Sequence, residues 1–93
     1  MTLYLVIAQF AGRVKYTAVT TSPYDFLPQT TYARYDEKEL THNVVYKKHP
    51  GGEYDKSALL NELDDMFEEG SITSARIVLD EAIGYIIDIY KLT

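Results

Sequence analysis

The sequence of 93 residues contains no cysteine and no tryptophan, and only three prolines. The missing cysteine excludes disulfide bonds, thiolate zinc sites and cysteine nucleophiles, and it is compatible with a reducing compartment. No apolar run approaches the roughly 18 residues that a transmembrane helix needs. The N-terminal segment also lacks the basic region of a signal peptide. We therefore expect a cytoplasmic protein that does not bind a membrane.

Basic side chains are also scarce, because 9 Lys and Arg stand against 14 Asp and Glu, which gives a net charge of −5. Proteins that bind nucleic acid rely on a basic surface, so direct nucleic-acid binding is not expected. The charge is divided unevenly along the chain. Residues 1–52 carry four acids and six bases, a net of +2, whereas residues 53–93 carry ten acids and three bases, a net of −7. Such asymmetry bears on partners more than on the fold.

Hydrophobic residues make up 46% of the chain and charged residues 25%, a composition typical of one globular domain spanning residues 1–93. Alternating and β-branched segments predict several strands, separated by turns and by a proline-containing loop at residues 20–31. The segment 71–93 also fits a helix, but its β-branched and aromatic density favours a hairpin. The predicted elements are a hairpin over 2–20, strands at Tyr32–Tyr35 and Asn43–Lys48, a charged turn or a single helical turn at Asp36–Leu40, and hairpin strands near 73–80 and 85–92.

The segment Asp55–Glu69 predicts an amphipathic helix. Its apolar residues fall on one helical stripe, which consists of Leu59, Leu60, Leu63, Met66 and Phe67. Asp55 or Ser57 can cap its start, and Gly70 can end it in the left-handed conformation. The expected fold class is therefore α+β, a small single domain in which antiparallel strands from both chain ends pack on one amphipathic helix.

The side of this helix opposite the apolar stripe carries five acids and no lysine or arginine: Glu62, Asp64, Asp65, Glu68 and Glu69. Two like-charged i, i+4 pairs each cost roughly 0.2–0.5 kcal/mol. The cluster also lies in the C-terminal half of the helix, where the helix dipole favours cations rather than acids. Five charges in eight residues amount to about one per 2.4 Å at a rise of ~1.5 Å per residue. Duplex DNA carries one charge per ~1.7 Å. The cluster therefore predicts imitation of a phosphate backbone.

Other interpretations of the acidic and titratable residues remain open. Acid-rich outer helix faces commonly serve solvation alone. A carboxylate pair at i and i+4 can clamp a cation, but the spacing of a calcium loop is absent. His42 and His49 match no zinc-ligand spacing, and Asp80 with Glu81 resembles a solvated turn rather than an acid–base pair. We therefore expect no enzyme, no cofactor and no metal site.

Nine tyrosines in 93 residues form a further unusual feature. Tyrosine buries apolar area while keeping a polar hydroxyl, which suits both cores and interfaces. Core packing is the ordinary role, and a tyrosine-bearing sheet face used for dimerisation is the alternative. The tyrosines on or beside predicted strands are Tyr16, Tyr32, Tyr35, Tyr46, Tyr85 and Tyr90.

In size, acidity and layout the chain resembles the anti-restriction nuclease (Arn) family of T-even phages. The resemblance rests on the opening Met1–Phe10 and on the acidic cluster of the helix. It implies a dimeric DNA mimic made early in phage infection, acting in the host cytoplasm. Its target would be a host restriction endonuclease of the McrBC type, and a nucleoid-associated protein is also conceivable. The residues implied as phosphate mimics are Glu62, Asp64, Asp65, Glu68 and Glu69, with Asp36, Glu37, Asp80 and Glu81 as additions.

Two functions are therefore compatible with the sequence. In the first, the protein occupies the DNA channel of a host restriction endonuclease, with carboxylates replacing phosphates. In the second, it is a small interaction or regulatory adaptor that binds a partner without DNA-processing activity through its tyrosine-rich face. Charge reversal on the helix distinguishes them, because only the first depends on those acids.

Overall fold

One mixed β-sheet organises the chain in the computed structural model, which describes residues 1–35 and 44–93. The described strands are β1 (Tyr4–Phe10), β2 (Arg13–Thr20), β3 (Thr31–Tyr35), β4 (Val44–Lys48), β5 (Tyr54–Asp55), β6 (Ser74–Asp80) and β7 (Tyr85–Lys91). A 3-10 helix covers Pro23–Phe26 and the α-helix α1 covers Lys56–Glu68. Across the sheet the strands follow the order β2-β1-β7-β6-β4-β3-β5.

The two terminal hairpins form as predicted and lie side by side. β1 pairs antiparallel with both β2 and β7, so that Val6 lies opposite Ile89. The first turn places Ala11 and Gly12 at φ of 53° and 77°, which is the left-handed geometry that a two-residue hairpin turn requires. β6 and β7 form the second hairpin, which confirms strands rather than a helix in the C-terminal segment.

The centre of the sheet contains a pairing that the sequence analysis did not address, because β4 and β6 are parallel. Parallel neighbours need a crossover of about a dozen residues or more, usually helical. The segment containing α1 supplies this crossover, since it leaves β4 and returns the chain to β6 in the same direction. The strands from both chain ends pair antiparallel as expected. The two-residue strand β5 was also missed, because so short a strand leaves no alternating pattern.

The core lies between one face of the sheet and α1. Leu59, Leu63 and Phe67 of the helix are buried and join the core cluster with sheet residues such as Ile77 and Ile87. The helix covers only part of this face, and the 3-10 helix reaches another part. The α+β single-domain class is confirmed, but the strands are organised by pairing in one sheet rather than by packing on the helix.

The opposite face of the sheet carries neither helix within residues 1–35 and 44–93. Its residues alternate with the core residues along each strand, as the pleat requires. Near its centre Arg76 and Asp88 form an ion pair with Nε and Oδ1 2.8 Å apart. The predicted turn Asp36–Leu40, His42 and the first residue of the predicted strand Asn43–Lys48 lie outside the described residues.

Candidate acidic surface

The ends of α1 form at the predicted residues and determine where its acids point. The Asp55 carboxylate accepts a hydrogen bond from the backbone N–H of Ala58 at 2.8 Å, which caps the helix start. Gly70 at φ 78° ends it, and the backbone N–H of Ser71 returns to the carbonyl of Met66. With Leu59, Leu63 and Phe67 turned inward, the acidic residues are left on the two flanks and the outer side.

Glu62 lies on one flank and is already paired. Its Oε1 accepts from Arg34 of β3 at 2.5 Å, and its side chain is only 23% exposed. The carboxylate also neighbours two tyrosines: its hydrogen bond is the main reason that the pKa of Tyr54 is raised, and it adds to the effect of burial on the pKa of Tyr46. Glu62 is therefore a structural carboxylate that links α1 to the sheet, rather than a free phosphate mimic.

Asp64 lies on the other flank and is held by a neutral group. The Tyr24 hydroxyl donates to Asp64 Oδ1 at 2.8 Å. Burial raises the pKa of Tyr24, and this hydrogen bond raises it further. Because the donor is a phenol and not a cation, this hydrogen bond restricts the orientation of Asp64 without forming an ion pair.

Asp65, Glu68 and Glu69 are exposed on the outer side of the helix. Within residues 1–35 and 44–93 neither they nor Asp64 form an ion pair. Glu69 accepts a hydrogen bond from the Ser71 hydroxyl at 3.3 Å, which does not remove its charge. The structure thus brings together four of the five predicted helix acids, Asp64, Asp65, Glu68 and Glu69, which we call the acidic surface.

The additional acids named from the sequence do not extend this surface through any described contact. Asp80 accepts from the backbone N–H groups of Ala82 and Ile83 at 3.0 and 3.4 Å, so it shapes the turn between β6 and β7. Glu81 in the same turn pairs with Lys47 at 3.1 Å. Asp36 and Glu37 lie outside the described residues.

A cavity of about 530 Å³ opens where α1 meets the 3-10 helix and the N-terminal segment. Tyr4, Tyr24 and Asp64 line it together with Asp25 and Asn61. No local sequence pattern indicates that Asp25 and Asp64 line one cavity, because 39 positions separate them and packing of the proline-containing loop brings them to it. The negative charge of the acidic surface therefore continues into a concave region.

In the described part of the chain, no three His, Asp or Glu side chains are grouped so that they could hold a metal ion. His49 is exposed on the chain after β4. Among the same residues, neither helix combines the length and apolar character that crossing a membrane demands.

Comparison with family models, with characterised proteins and with solved structures yields no significant match for this chain. The resemblance to the anti-restriction family consequently stays a prediction. Any functional conclusion has to rest on the charge, geometry and burial of the residues described above.

Proposed function

We propose that this protein is an inhibitor that occupies the DNA-binding channel of a host restriction endonuclease of the McrBC type. The observation that supports the proposal is the acidic surface: four neighbouring carboxylates on a rigid helix, none of them in an ion pair among the described residues. A channel lined by Arg and Lys to bind phosphates can bind such carboxylates instead.

The spacing of the acidic surface suits this role. Asp64 and Glu69 are about 7.5 Å apart along the axis at a rise of ~1.5 Å per residue, so four charges give about one per 2.5 Å. That density approaches the ~1.7 Å per charge of duplex DNA. A helix also holds the carboxylates in place, which lowers the conformational cost of binding compared with a flexible acidic loop.

The geometry narrows the set of residues that carry the proposal. We leave Glu62 out of the proposed binding residues because it pairs with Arg34. Asp80 and Glu81 are left out because Asp80 accepts a hydrogen bond within the turn between β6 and β7 and Glu81 pairs with Lys47. The proposal therefore assigns binding to Asp64, Asp65, Glu68 and Glu69. A nucleoid-associated protein, which also binds DNA phosphates through Lys and Arg, is a second proposed target of the same surface.

Charge reversal at matched positions tests the proposal. The variant Asp65→Lys with Glu68→Lys changes the net charge by four units on the acidic surface. The control Glu53→Lys with Glu81→Lys makes the same change at exposed positions off the helix. We expect the first pair to abolish inhibition of cleavage of modified-cytosine DNA by the endonuclease, and the control to retain most of it.

The salt dependence of binding provides an independent measurement. Because exposed charges are screened within ~10 Å at 0.1 M salt, we expect the Kd for the endonuclease to rise about tenfold between low and moderate salt. Duplex DNA should compete with the inhibitor for the same site. Equal loss of inhibition in both charge variants, or simultaneous binding of DNA and inhibitor, contradicts the proposal.

The alternative function, an adaptor with a tyrosine-rich face, receives less support from the fold. Tyr4, Tyr32 and Tyr46 are buried in the core, and Tyr24, Tyr54 and Tyr85 pack against it. Tyr35 and Tyr90 lie on the face of the sheet opposite the core, on the separate strands β3 and β7. The tyrosines therefore serve mainly the core, and no continuous tyrosine face forms among the described residues.

A homodimer remains part of the proposal, and the edge strand β2 is the place where it fits best. β2 pairs only with β1 within the described residues. Pairing of two β2 strands about a two-fold axis perpendicular to the sheet keeps both α1 helices on the same side. Sedimentation should give a dimer, and Val19→Lys, which charges this exposed edge, should shift it to monomer. A wild-type monomer at every concentration contradicts this arrangement.

A further inference from the structure

We propose that the cavity between α1 and the 3-10 helix binds one arginine side chain of the partner protein. The inference rests on the proposed function, because it assigns a specific contact to a partner that grips DNA with cations. The cavity measures about 530 Å³, within the range of ~300–1,000 Å³ typical of small-ligand sites. Its walls combine aromatic rings with carboxylates, which is the chemistry that recognises organic cations.

Tyr4 provides the first argument. The residue is only 8% exposed and its ring packs edge-on against Phe67, with centroids 5.4 Å apart. Its hydroxyl makes no hydrogen bond with the described residues, although it lies at the cavity wall. The hydroxyl itself is reached by solvent at the cavity. An occupant of the cavity can therefore donate a hydrogen bond to it in place of water.

The charge around that hydroxyl specifies what kind of donor fits. Burial raises the pKa of Tyr4, and the neighbouring carboxylates Asp64 and Glu68 raise it further. The same negative field that disfavours a phenolate favours a bound cation. Asp25 adds a second acid to the lining. An anionic or purely apolar occupant would leave these carboxylates uncompensated.

Asp64 is preorganised to receive the cation. Its Oδ1 accepts from the Tyr24 hydroxyl at 2.8 Å, and its Oδ2 makes no hydrogen bond with the described residues. The open acceptors on Tyr4 and Asp64 come from different elements, β1 and α1. A planar guanidinium presents five N–H donors and stacks on aromatic rings, whereas an ammonium is a compact point charge. Arginine therefore matches this spread of acceptors better than lysine.

A small probe tests the site without any partner protein. Titration of isotope-labelled protein with N-acetyl-arginine-methylamide at low salt should shift the NMR signals of Tyr4, Tyr24 and Asp64, with a Kd on the order of millimolar. The citrulline counterpart has nearly the same shape and no charge. It should produce shifts at least about tenfold weaker if charge-assisted hydrogen bonds provide the binding energy.

Two carboxylate variants of equal charge separate a built site from a general negative field. Asp64→Asn should raise the Kd for the arginine probe about tenfold, as expected for loss of a charge-assisted hydrogen bond. Asp65→Asn, on the outer side of the same helix, should change it less than about twofold, as expected for a screened exposed charge. Tyr4→Phe should weaken binding by about threefold, in the range of one hydrogen bond.

Equal effects of Asp64→Asn and Asp65→Asn, or equal binding of the arginine and citrulline probes, would overturn the proposal. The outcome is separable from that of phosphate mimicry, because the probe titration needs no endonuclease. If inhibition depends on the acidic surface but the cavity does not bind the arginine probe, the proposed arginine site is wrong and phosphate mimicry stands. If the cavity binds the probe but charge reversal leaves inhibition intact, mimicry is wrong.

Discussion

The two faces of the sheet bury their residues by different means. The covered face is apolar, with Val6, Ile77 and Ile89 fully buried beneath α1 and its neighbours. The uncovered face has no helix on it within the described residues, yet Asp88 at its centre is only 2% exposed. One face excludes water by packing against α1, and the opposite face buries a charged side chain that is paired across neighbouring strands.

Strand β7 shows both means within three residues. Ile87 and Ile89 face the core, and Asp88 between them faces the opposite side. Asp88 accepts from Arg76 at 2.8 and 3.1 Å and from the Gln9 side-chain amide at 3.0 Å. The hydrogen bond to Asp88 is also the main reason that the pKa of Arg76 is raised. Asp88 is thus buried together with hydrogen-bond partners from the two adjacent strands, β1 and β6.

The largest effect should come from the covered face. Phe67 is 1% exposed and packs edge-on against Tyr4, so Phe67→Ala removes an aromatic ring and leaves a cavity. We expect a loss of about 3–5 kcal/mol in the free energy of unfolding, measured by denaturant titration. Val14→Ala on the exposed edge strand β2 is the control and should stay within about 0.5 kcal/mol. A loss below about 1 kcal/mol for Phe67→Ala contradicts the covered face as the main core.

The uncovered face should respond next. Asp88→Asn leaves Arg76 without its counter-charge, and because Arg76 is partly exposed we expect a loss of about 1–3 kcal/mol. The double variant Arg76→Met with Asp88→Leu removes both partners and should cost less than Asp88→Asn alone. A double variant that is less stable than the single one would show that the pair contributes to stability beyond its own desolvation.

Most of the fold was accessible from the sequence because its elements carry local signals. Alternation in residues 13–19 and the density of β-branched and aromatic residues predicted the terminal hairpins, and the apolar stripe with Asp55 and Gly70 predicted α1 within one residue at each end. The parallel pairing of β4 with β6 was not accessible, because strand direction depends on the path of the chain through the crossover and not on local pattern. The strand β5 could not be predicted, because its two residues are recognised as a strand by their pairing with β3 and not by a local pattern.

The candidate site was accessible only in part for the same physical reason. The exposed side of a helix follows from its periodicity, so Asp65 and Glu68 could be placed from the sequence. The neutralisation of Glu62 could not, because Arg34 arrives from a strand 28 positions earlier. The proximity of Asp25 to Asp64 likewise depends on how the 3-10 helix packs, which no local pattern reports.

Alkaline titration should sharpen the comparison further, because tyrosines in the core cluster or packed against it have the most strongly raised pKa values. Burial raises the pKa of Tyr32 from 10.0 to about 12, and the pKa values of Tyr24 and Tyr46 are raised as well. A group whose pKa is raised on folding contributes stability below its unfolded pKa and loses it as pH rises through the folded value. We expect the contribution of Tyr32 to stability to be constant below pH 10 and to be lost as pH rises from 10 to about 12. Phenolate absorbance together with circular dichroism follows this loss, and titration of every tyrosine near its ordinary value with the fold intact contradicts it.

The smallest effect should come from a polar group that is buried on the covered face, the hydroxyl of Tyr46. Tyr46 is fully buried, and its hydroxyl has no hydrogen-bond partner of ordinary geometry among the described residues, although the nearby Glu62 raises its pKa. Removal of an unpaired buried hydroxyl relieves a desolvation cost, so Tyr46→Phe should change stability by less than about 1 kcal/mol and is expected to increase it. Its ring contact with Tyr54, at 5.5 Å between centroids, stays in place. If Tyr46→Phe instead costs as much as Asp88→Asn, then Glu62 binds this hydroxyl in solution, and the polar groups of both faces are paired alike.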